Sequence, residues 1–388
     1  MKILHIIASL DPAGGGPVEG IVRQCEAMTD CTSEVVSLDP PNAPFLSSLP
    51  MTIHALGTRA QTSRLARFGY TPRLVPWLRD HAGDYDMIVI NGLWNYASMG
   101  SSRILPELGV PYVVYPHGMM DPWFRRAYPL KHLAKQLFWT LFDGRLMQQA
   151  SAALFTCEEE MVLARGQFRG HPYRELVARY GAGDVPRGAG AQVAAFRAAV
   201  PELGTRPYLL FLGRIHPKKG CDLLIRAWGE LGNTDIDLVM AGPDRAGWGK
   251  TLRAMADELG IGGRIHWPGM LTGDAKWGAF RAADGFILPS HQDSFGVAVG
   301  EALACGTPVL ITDKVNIWRE VEESGAGLVA PDNLLGIELL LRIFMRLDTT
   351  ARVKMRAAAR QCFVEHFDVA VSARKTREIY RQLAQSRA

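Results

Sequence analysis

No apolar run in this 388-residue chain approaches the ~18–20 residues needed to cross a bilayer, so it reads as a soluble or peripheral protein. Its first apolar stretch, MKILHIIASL, is short, is interrupted by His5 and is followed by Asp11-Pro12. That suits a first core strand better than a secretory signal. A C-x-x-C pair is also missing. The six cysteines (Cys25, Cys31, Cys157, Cys221, Cys305, Cys362) are scattered, as expected of reduced, mostly buried thiols in the cytoplasm. Charge of one sign is not in excess: 43 Lys and Arg against 39 Asp and Glu give a net +4. This balance is compatible with anionic ligands or anionic lipid and argues against nucleic acid as a partner. Low-complexity segments and solenoid repeats are absent too.

What is present is a strand–helix rhythm. The length exceeds one ordinary core and predicts two domains. Strands are expected at residues 3–9, 35–38, 52–55, 87–90, 112–115 and 152–156, with helices at 17–29, 73–82 and 158–164. After a Gly-, Ala- and Pro-rich stretch the rhythm restarts, with strands at 208–212, 236–240, 264–267, 286–288, 309–312 and 327–329. Helices between them are expected at 222–230, 250–259, 275–283 and 297–305, and the tail is helical to residue 384. The fold class is α/β, with two Rossmann-like doubly wound domains. The expected division is a first domain over 1–185, a linker over 186–205, a second domain over 206–365 and a terminal helix over 366–388.

Four stretches could carry chemistry. PAGGGPVEG, residues 12–20, follows the first strand, and Gly15 and Gly16 would let backbone approach a ligand at a helix N-terminus. A tight turn with no ligand is the alternative reading of that stretch. Its spacing is not G-x-G-x-x-G, and no acidic residue ends a second strand where a ribose contact belongs, which argues against nicotinamide. His117, beside Gly118 at a strand end, is placed to reach into a cleft, although a lone histidine is more often structural. Arg214 and Lys219 leave the strand end at residue 212 close together, which suits a diphosphate clamp or a solvated basic loop. Last, PSHQDSFGVAVGEALACGTPV, residues 289–309, has Ser294 as the expected helix N-cap, with Asp293 before it and Glu301 eight positions later. A fully helical path between those two acids would rise about 12 Å at ~1.5 Å per residue, comparable to a nucleotide-sugar from ribose to hexose. Taken singly, Asp293 could be a cap and Glu301 a solvent-facing helix residue.

Together these residues resemble the retaining GT-B glycosyltransferases of family 4, and the likeness runs through most of the chain. GGGP, NGLW at 91–94, PHGMMDPW at 116–123 and Glu158–Glu160 are similar to that family's motifs, as are MAGPD at 240–244, PGMLTGDAKW at 268–277 and the run from Pro289 to Val321. The family's E-x7-E motif falls on Asp293 and Glu301, so Asp replaces the first Glu and shortens its reach by one methylene. RYGAG at 179–183 stands where many members have a Pro-Asn-Gly turn.

The resemblance implies two domains facing across a cleft, with the terminal helix crossing back to the first. Arg214 and Lys219 would bind the donor diphosphate, with the N–H groups near Phe295 and Gly296 and the Gly15-Gly16 loop. Glu301 would hold the ribose, Asp293 and His117 the transferred sugar, and Gly269-Met270 would lie near the base. No metal or other cofactor is implied, since no D-x-D follows a strand and Arg and Lys replace the cation. The implied activity is a metal-independent, retaining hexosyltransferase acting from a nucleoside-diphosphate sugar onto a hydroxyl of a glycan or lipid-linked acceptor, in cell-surface polysaccharide biosynthesis. A sugar-nucleotide epimerase of the same fold and a non-catalytic nucleotide-sugar-binding partner are the alternatives. Residues 123–147 mix aromatics with Arg125, Arg126, Lys131 and Lys135, which suits either a peripheral contact with the inner face of the membrane or a core-packed amphipathic helix.

Overall fold

The structure is a computed structural model that describes the whole chain except residues 13–15, 59–67, 233–234, 245–246 and 386–388. Its contacts divide it into two units: Met1–Gly181 with Val369–Ala388, and Ala182–Asp368. Each unit is built on a parallel sheet.

The first sheet has seven strands: β1 (Lys2–Ile7), β2 (Thr32–Ser37), β3 (Thr52–Ala55), β4 (Met87–Asn91), β5 (Tyr112–Tyr115), β6 (Ala152–Phe155) and β7 (Glu175–Val177). Their order is β3-β2-β1-β4-β5-β6-β7. The strands form where apolar residues run without alternation, because helices cover both faces of a parallel sheet. Ile3, Leu4, Ile6 and all of Tyr112–Tyr115 are accordingly fully buried. The unit is completed by its last helix, Val369–Gln385, which packs on the helix Gly16–Ala27 and buries Thr376 and Tyr380 completely.

The second sheet has six strands: β8 (Tyr208–Leu212), β9 (Asp237–Ala241), β10 (Ile265–Gly269), β11 (Gly285–Leu288), β12 (Val309–Thr312) and β13 (Gly327–Ala330). Their order is β10-β9-β8-β11-β12-β13. In both sheets the order reverses beside the first strand, between β1 and β4 and between β8 and β11. Crevices for ligands form at such switch points, outside the carboxyl ends of the strands.

The linker expected over 186–205 is not a linker. Ala189–Ala199 is a helix packed along the helix Gly273–Ala282. Gln192 and Phe196 are buried between them, and Arg281 Nε donates to Gln192 Oε1 at 2.6 Å. The approach is close enough that a Cβ on Gly278 would lie 1.9 Å from the Gln192 carbonyl oxygen. Alanine, the best helix former, explains why this stretch of low side-chain complexity folds. The chain passes between units at Gly181 and Ala182 and returns at Asp368 and Val369. A Cβ on Gly181 would lie 2.2 Å from Val369 Cα, which accounts for glycine at that place in RYGAG.

Candidate functional site

In the second unit, three strand ends carry residues singled out above. β8 leads to Arg214 and Lys219, β11 leads to Asp293, Phe295 and Gly296, and β10 ends at Gly269 and Met270. The first two loops are held together by backbone. His291 N–H donates to the Lys218 carbonyl at 2.9 Å. Gly220, at φ +64°, lies so near Pro289 that a Cβ would be 2.0 Å from its carbonyl oxygen. This brings the Lys219 ammonium onto the Asp293 carboxylate as an ion pair, the side chains 15% and 18% exposed. Burial pushes the Asp293 carboxyl up, but Lys219, Lys218 and the Gly296 N–H outweigh it and hold it below the usual carboxylate range. Arg214 is exposed on the same loop. Burial lowers the His216 imidazole between them, and Arg214, Lys218 and Lys219 lower it further, as a concentrated positive field does.

Ser294 is not the helix cap. Asp293 N–H donates to the Lys314 carbonyl and Asn316 N–H to the Asp293 carbonyl, each at 2.9 Å, which keeps residue 293 in an extended bridge. The chain can enter the helix Val297–Ala304 only through a left-handed turn, and Gly296 supplies it at φ +63°. The path from Asp293 to Glu301 is therefore half turn and half helix, and the helical rise of about 12 Å does not apply to it. The Gly296 N–H donates to Asp293 Oδ1 at 3.2 Å. Phe295 is buried and packs edge-on against Phe367, so only its backbone could face a ligand. Glu301 is buried on that helix and accepts from Lys276 Nζ at 2.8 Å.

A cavity of about 280 Å³ opens at the ends of β8, β9 and β10, lined by Ile215, Gly242, Arg253, Trp267, Gly269 and Met270 among others. Gly242 lets the strand ends close up, since a Cβ there would lie 1.8 Å from the Gly213 carbonyl oxygen. Arg253 stacks over the Trp267 ring at 4.8 Å. Met270, 65% exposed, stands at the rim.

In the first unit, β5 ends at Tyr115, and His117 follows at φ +52°, a conformation costly for a residue with a side chain. Its neighbour is anchored: Gly118 N–H donates to Glu160 Oε1 at 2.6 Å, and Thr156 N–H and Oγ1–H bind Glu160 Oε2 at 2.7 and 2.5 Å. Burial raises the Glu160 pKa against those bonds. His117 Nε2 lies 3.0 Å from Asn91 Oδ1. Asn91 Nδ2 donates to the Val89 and Ile6 carbonyls at 3.1 and 3.4 Å, which orients its oxygen toward the histidine. Nε2 therefore carries the proton and Nδ1 keeps a lone pair. Burial, with His5 second, lowers the imidazole to about 3, so it stays neutral. Gly16 opens the helix Gly16–Ala27 and is exposed, while Gly15 lies outside the described residues.

The structure thus places Arg214, Lys219, Asp293, Phe295, Gly296 and Glu301 on adjoining elements at one switch point, with Gly269-Met270 at the cavity rim. His117 and Gly16 belong to the other unit. Asn91, Glu160 and Lys276 had no role in the sequence reading, although each lies within a motif quoted there. Among the described residues, no three or more His, Cys, Asp or Glu side chains are grouped so as to hold a metal ion. No described helix is long and apolar enough to cross a membrane.

Two family models match the chain: a Glycosyl transferase 4-like domain over residues 15–181 and Glycosyl transferases group 1 over 193–361. The D-inositol 3-phosphate glycosyltransferase of Nocardia farcinica is 35% identical over 176 residues, 40% of this chain and 39% of that protein. The enzyme of that name from Mycolicibacterium smegmatis is 40% identical over 128 residues, 32% and 29% of the two. The chain thus spans about two fifths or less of the length of these curated relatives. Among solved structures, the sucrose-phosphate synthase of Thermosynechococcus elongatus superposes with a TM-score of 0.79 at 18% identity, over all of both chains. Anabaena Alr3699/HepE, in complex with UDP and glucose, gives 0.77 at 17%, over 98% of this chain and 100% of that one. At these identities the likeness is one of fold. With one glycosyltransferase domain model matching each half and GT-B enzymes sharing its architecture throughout, the chain belongs to the group 1 glycosyltransferases of GT-B fold.

Proposed function

We propose that the protein is a retaining hexosyltransferase that uses a nucleoside-diphosphate sugar without a metal ion. The observation that carries this reading is the group at the β8/β11 switch point: the Lys219–Asp293 ion pair, exposed Arg214 beside it, and buried Glu301 one helix further on. A diphosphate entering there meets two cations, one already fixed by a carboxylate, and the Gly296 end of a helix. As the bond between sugar C1 and the diphosphate oxygen breaks, negative charge grows on that oxygen, where Arg214 and Lys219 stabilise it. The acceptor oxygen bonds to C1 on the same face, and its proton passes to the departing diphosphate, so no enzyme nucleophile is needed. Glu301, held by Lys276, takes the ribose hydroxyls. The base enters the cavity beside Gly269 and Met270. Asp293 receives hydroxyls of the sugar, and the roles of the His117 Nδ1 lone pair toward that sugar and of Gly15-Gly16 toward the phosphates rest on the family resemblance alone.

Since the neighbour from Anabaena is complexed with UDP and glucose, UDP-glucose is the first donor to try. The acceptor we infer is a glycan or lipid-linked hydroxyl of cell-surface polysaccharide synthesis, met at the cytoplasmic face of the membrane. Support comes from the helix Pro129–Phe138 and the turn after it, where Leu130, Leu133, Leu137 and Leu141 are 81, 67, 63 and 50% exposed at helical spacing. Arg125, Arg126 and Lys131 are exposed beside them, the pattern of a surface-lying amphipathic helix. Nuclear magnetic resonance of the product tests the reaction: a new glycoside with the donor's anomeric configuration is expected, and inversion or a free epimerised sugar would refute it. Flotation with anionic vesicles tests the surface; replacement of the four leucines by Ser should abolish it, and unchanged binding would remove the idea.

A further inference from the structure

The first unit holds a second cavity, about 190 Å³, which the reaction outlined above leaves unused. Its walls come from the helices Pro122–Ala127 and Pro129–Phe138 and from Gln167-Phe168, and they include Phe124, Tyr128, Lys131, His132, Lys135 and Phe168. Met119 and Asp121 close the side next to His117 in the chain. Three features set it apart from an ordinary packing defect.

The first is the number of cations. Lys135 Nζ lies 3.9 Å from the Trp94 ring centre and 5.0 Å from that of Phe124, and Lys131 Nζ lies 4.3 Å over Tyr128. Aromatic faces support these ammonium groups, but no carboxylate of the described residues forms an ion pair with either. The nearby Asp121 is engaged as a helix cap, its Oδ1 accepting from Trp123 N–H at 2.7 Å. The second feature is mutual repulsion. Burial, opposed by Asp143 and reinforced by Lys131, pulls the Lys135 ammonium down to about 8. Burial, then Arg125 and Lys135, lower the His132 imidazole in turn. Like charges are held together here at a cost that an anion would relieve. The third feature is the ring stack behind them: Phe168 lies 4.8 Å from His132, 5.0 Å from Trp94 and 5.2 Å from Trp139. A rigid aromatic wall suits the C–H face of a sugar ring.

We propose that this cavity binds the phosphate-bearing part of the acceptor, with Lys135 and Lys131 pairing to the phosphate and the aromatic wall packing against its sugar or alkyl portion. The inference rests on the glycosyl-transfer reading, in which the first unit takes the acceptor. It adds that the acceptor is a phosphorylated sugar, free or lipid-linked.

Calorimetric titration of the full chain tests this in the Lys219→Ala background, which removes the donor phosphate clamp. One arm uses glucose 6-phosphate with glucose as the uncharged control. The other uses phosphatidylcholine vesicles carrying farnesyl phosphate, with vesicles made equally anionic by phosphatidylserine as control. Binding of the phosphorylated probe in at least one arm should exceed its control and fall about tenfold or more with Lys135→Met, as for loss of a charged hydrogen bond. Lys131→Gln, at an exposed position, should weaken the same probe severalfold and keeps the test decisive if Lys135→Met does not fold. A response confined to glucose 6-phosphate identifies a soluble acceptor, and one confined to the vesicles a lipid-linked one; both support the proposal. Equal affinity for probe and control in both arms, or binding unaffected by either lysine variant, would overturn it. No donor is turned over in these titrations, so failure here leaves glycosyl transfer to be judged by its own product.

Discussion

Asp293 is one methylene shorter than the glutamate of the family motif, and its carboxylate is already engaged with Lys219 and the Gly296 N–H. In the proposed reaction, a carboxylate tethered at this reach would select among hydroxyl positions on the sugar and leave the nucleotide contacts alone. Asp293→Glu is therefore expected to change the ranking of donor sugars severalfold in kcat/KM, with nucleoside-diphosphate affinity within about twofold of wild type; competition assays over several sugars on one nucleotide would show it. His117 makes a different kind of prediction. Its imidazole is neutral down to about pH 3, so kcat/KM should show no limb from it between about pH 5 and 8. For stability the sign follows from linkage. The unfolded chain takes up this proton near pH 6.5 and the folded one only near 3. The stability that the neutral form contributes is thus complete above about 6.5 and is lost as pH falls from there toward 3. Melting curves from pH 7 to pH 4 should fall less steeply for His117→Gln than for wild type.

Elements position these side chains through backbone contacts more than through side-chain ones. Gly220 is the clearest case, because its left-handed φ and the Pro289 carbonyl beside it leave no room for a Cβ. Gly220→Ala should cost at least about 1–3 kcal/mol in strain, read as a lower melting temperature, and should separate Lys219 from Asp293. Such contacts also mark the limit of what the sequence discloses. Of the thirteen strands among the described residues, twelve were legible, most of them because strands covered on both faces are continuous apolar runs. β7 was not, since at three residues it is too short to form a readable run. Ala189–Ala199 read as a linker because Gly and Ala carry little pattern, although its packing partner lies some eighty residues on. The helix start at Gly296 depends on backbone pairing with Lys314 and Asn316. Arg214, Lys219 and Glu301 could be named from motif spacing. Asn91, Glu160 and Lys276 could not be given roles, because each acts through a partner 26, 42 or 25 residues away.

On the scale of the whole molecule, the first unit is not continuous in sequence. Its last helix, Val369–Gln385, follows directly on the second unit yet buries Ala373, Thr376, Tyr380 and Leu383 against the first. At about 1.5–3 kcal/mol for each large apolar side chain, its loss would remove several kcal/mol from that unit alone. A chain ending at Asp368 should lose amide-exchange protection in β1–β7 and keep it in β8–β13.

The most direct test of the proposed donor site is release of nucleoside diphosphate from a panel of UDP-, GDP- and ADP-sugars by wild-type protein, Lys219→Ala and Glu301→Ala. One donor is expected to be cleaved by the wild type, with kcat/KM about 100-fold or more lower in each variant, while their melting curves still show a folded protein. Cleavage of that donor at near wild-type rates by either variant would contradict the site described at the β8/β11 switch point.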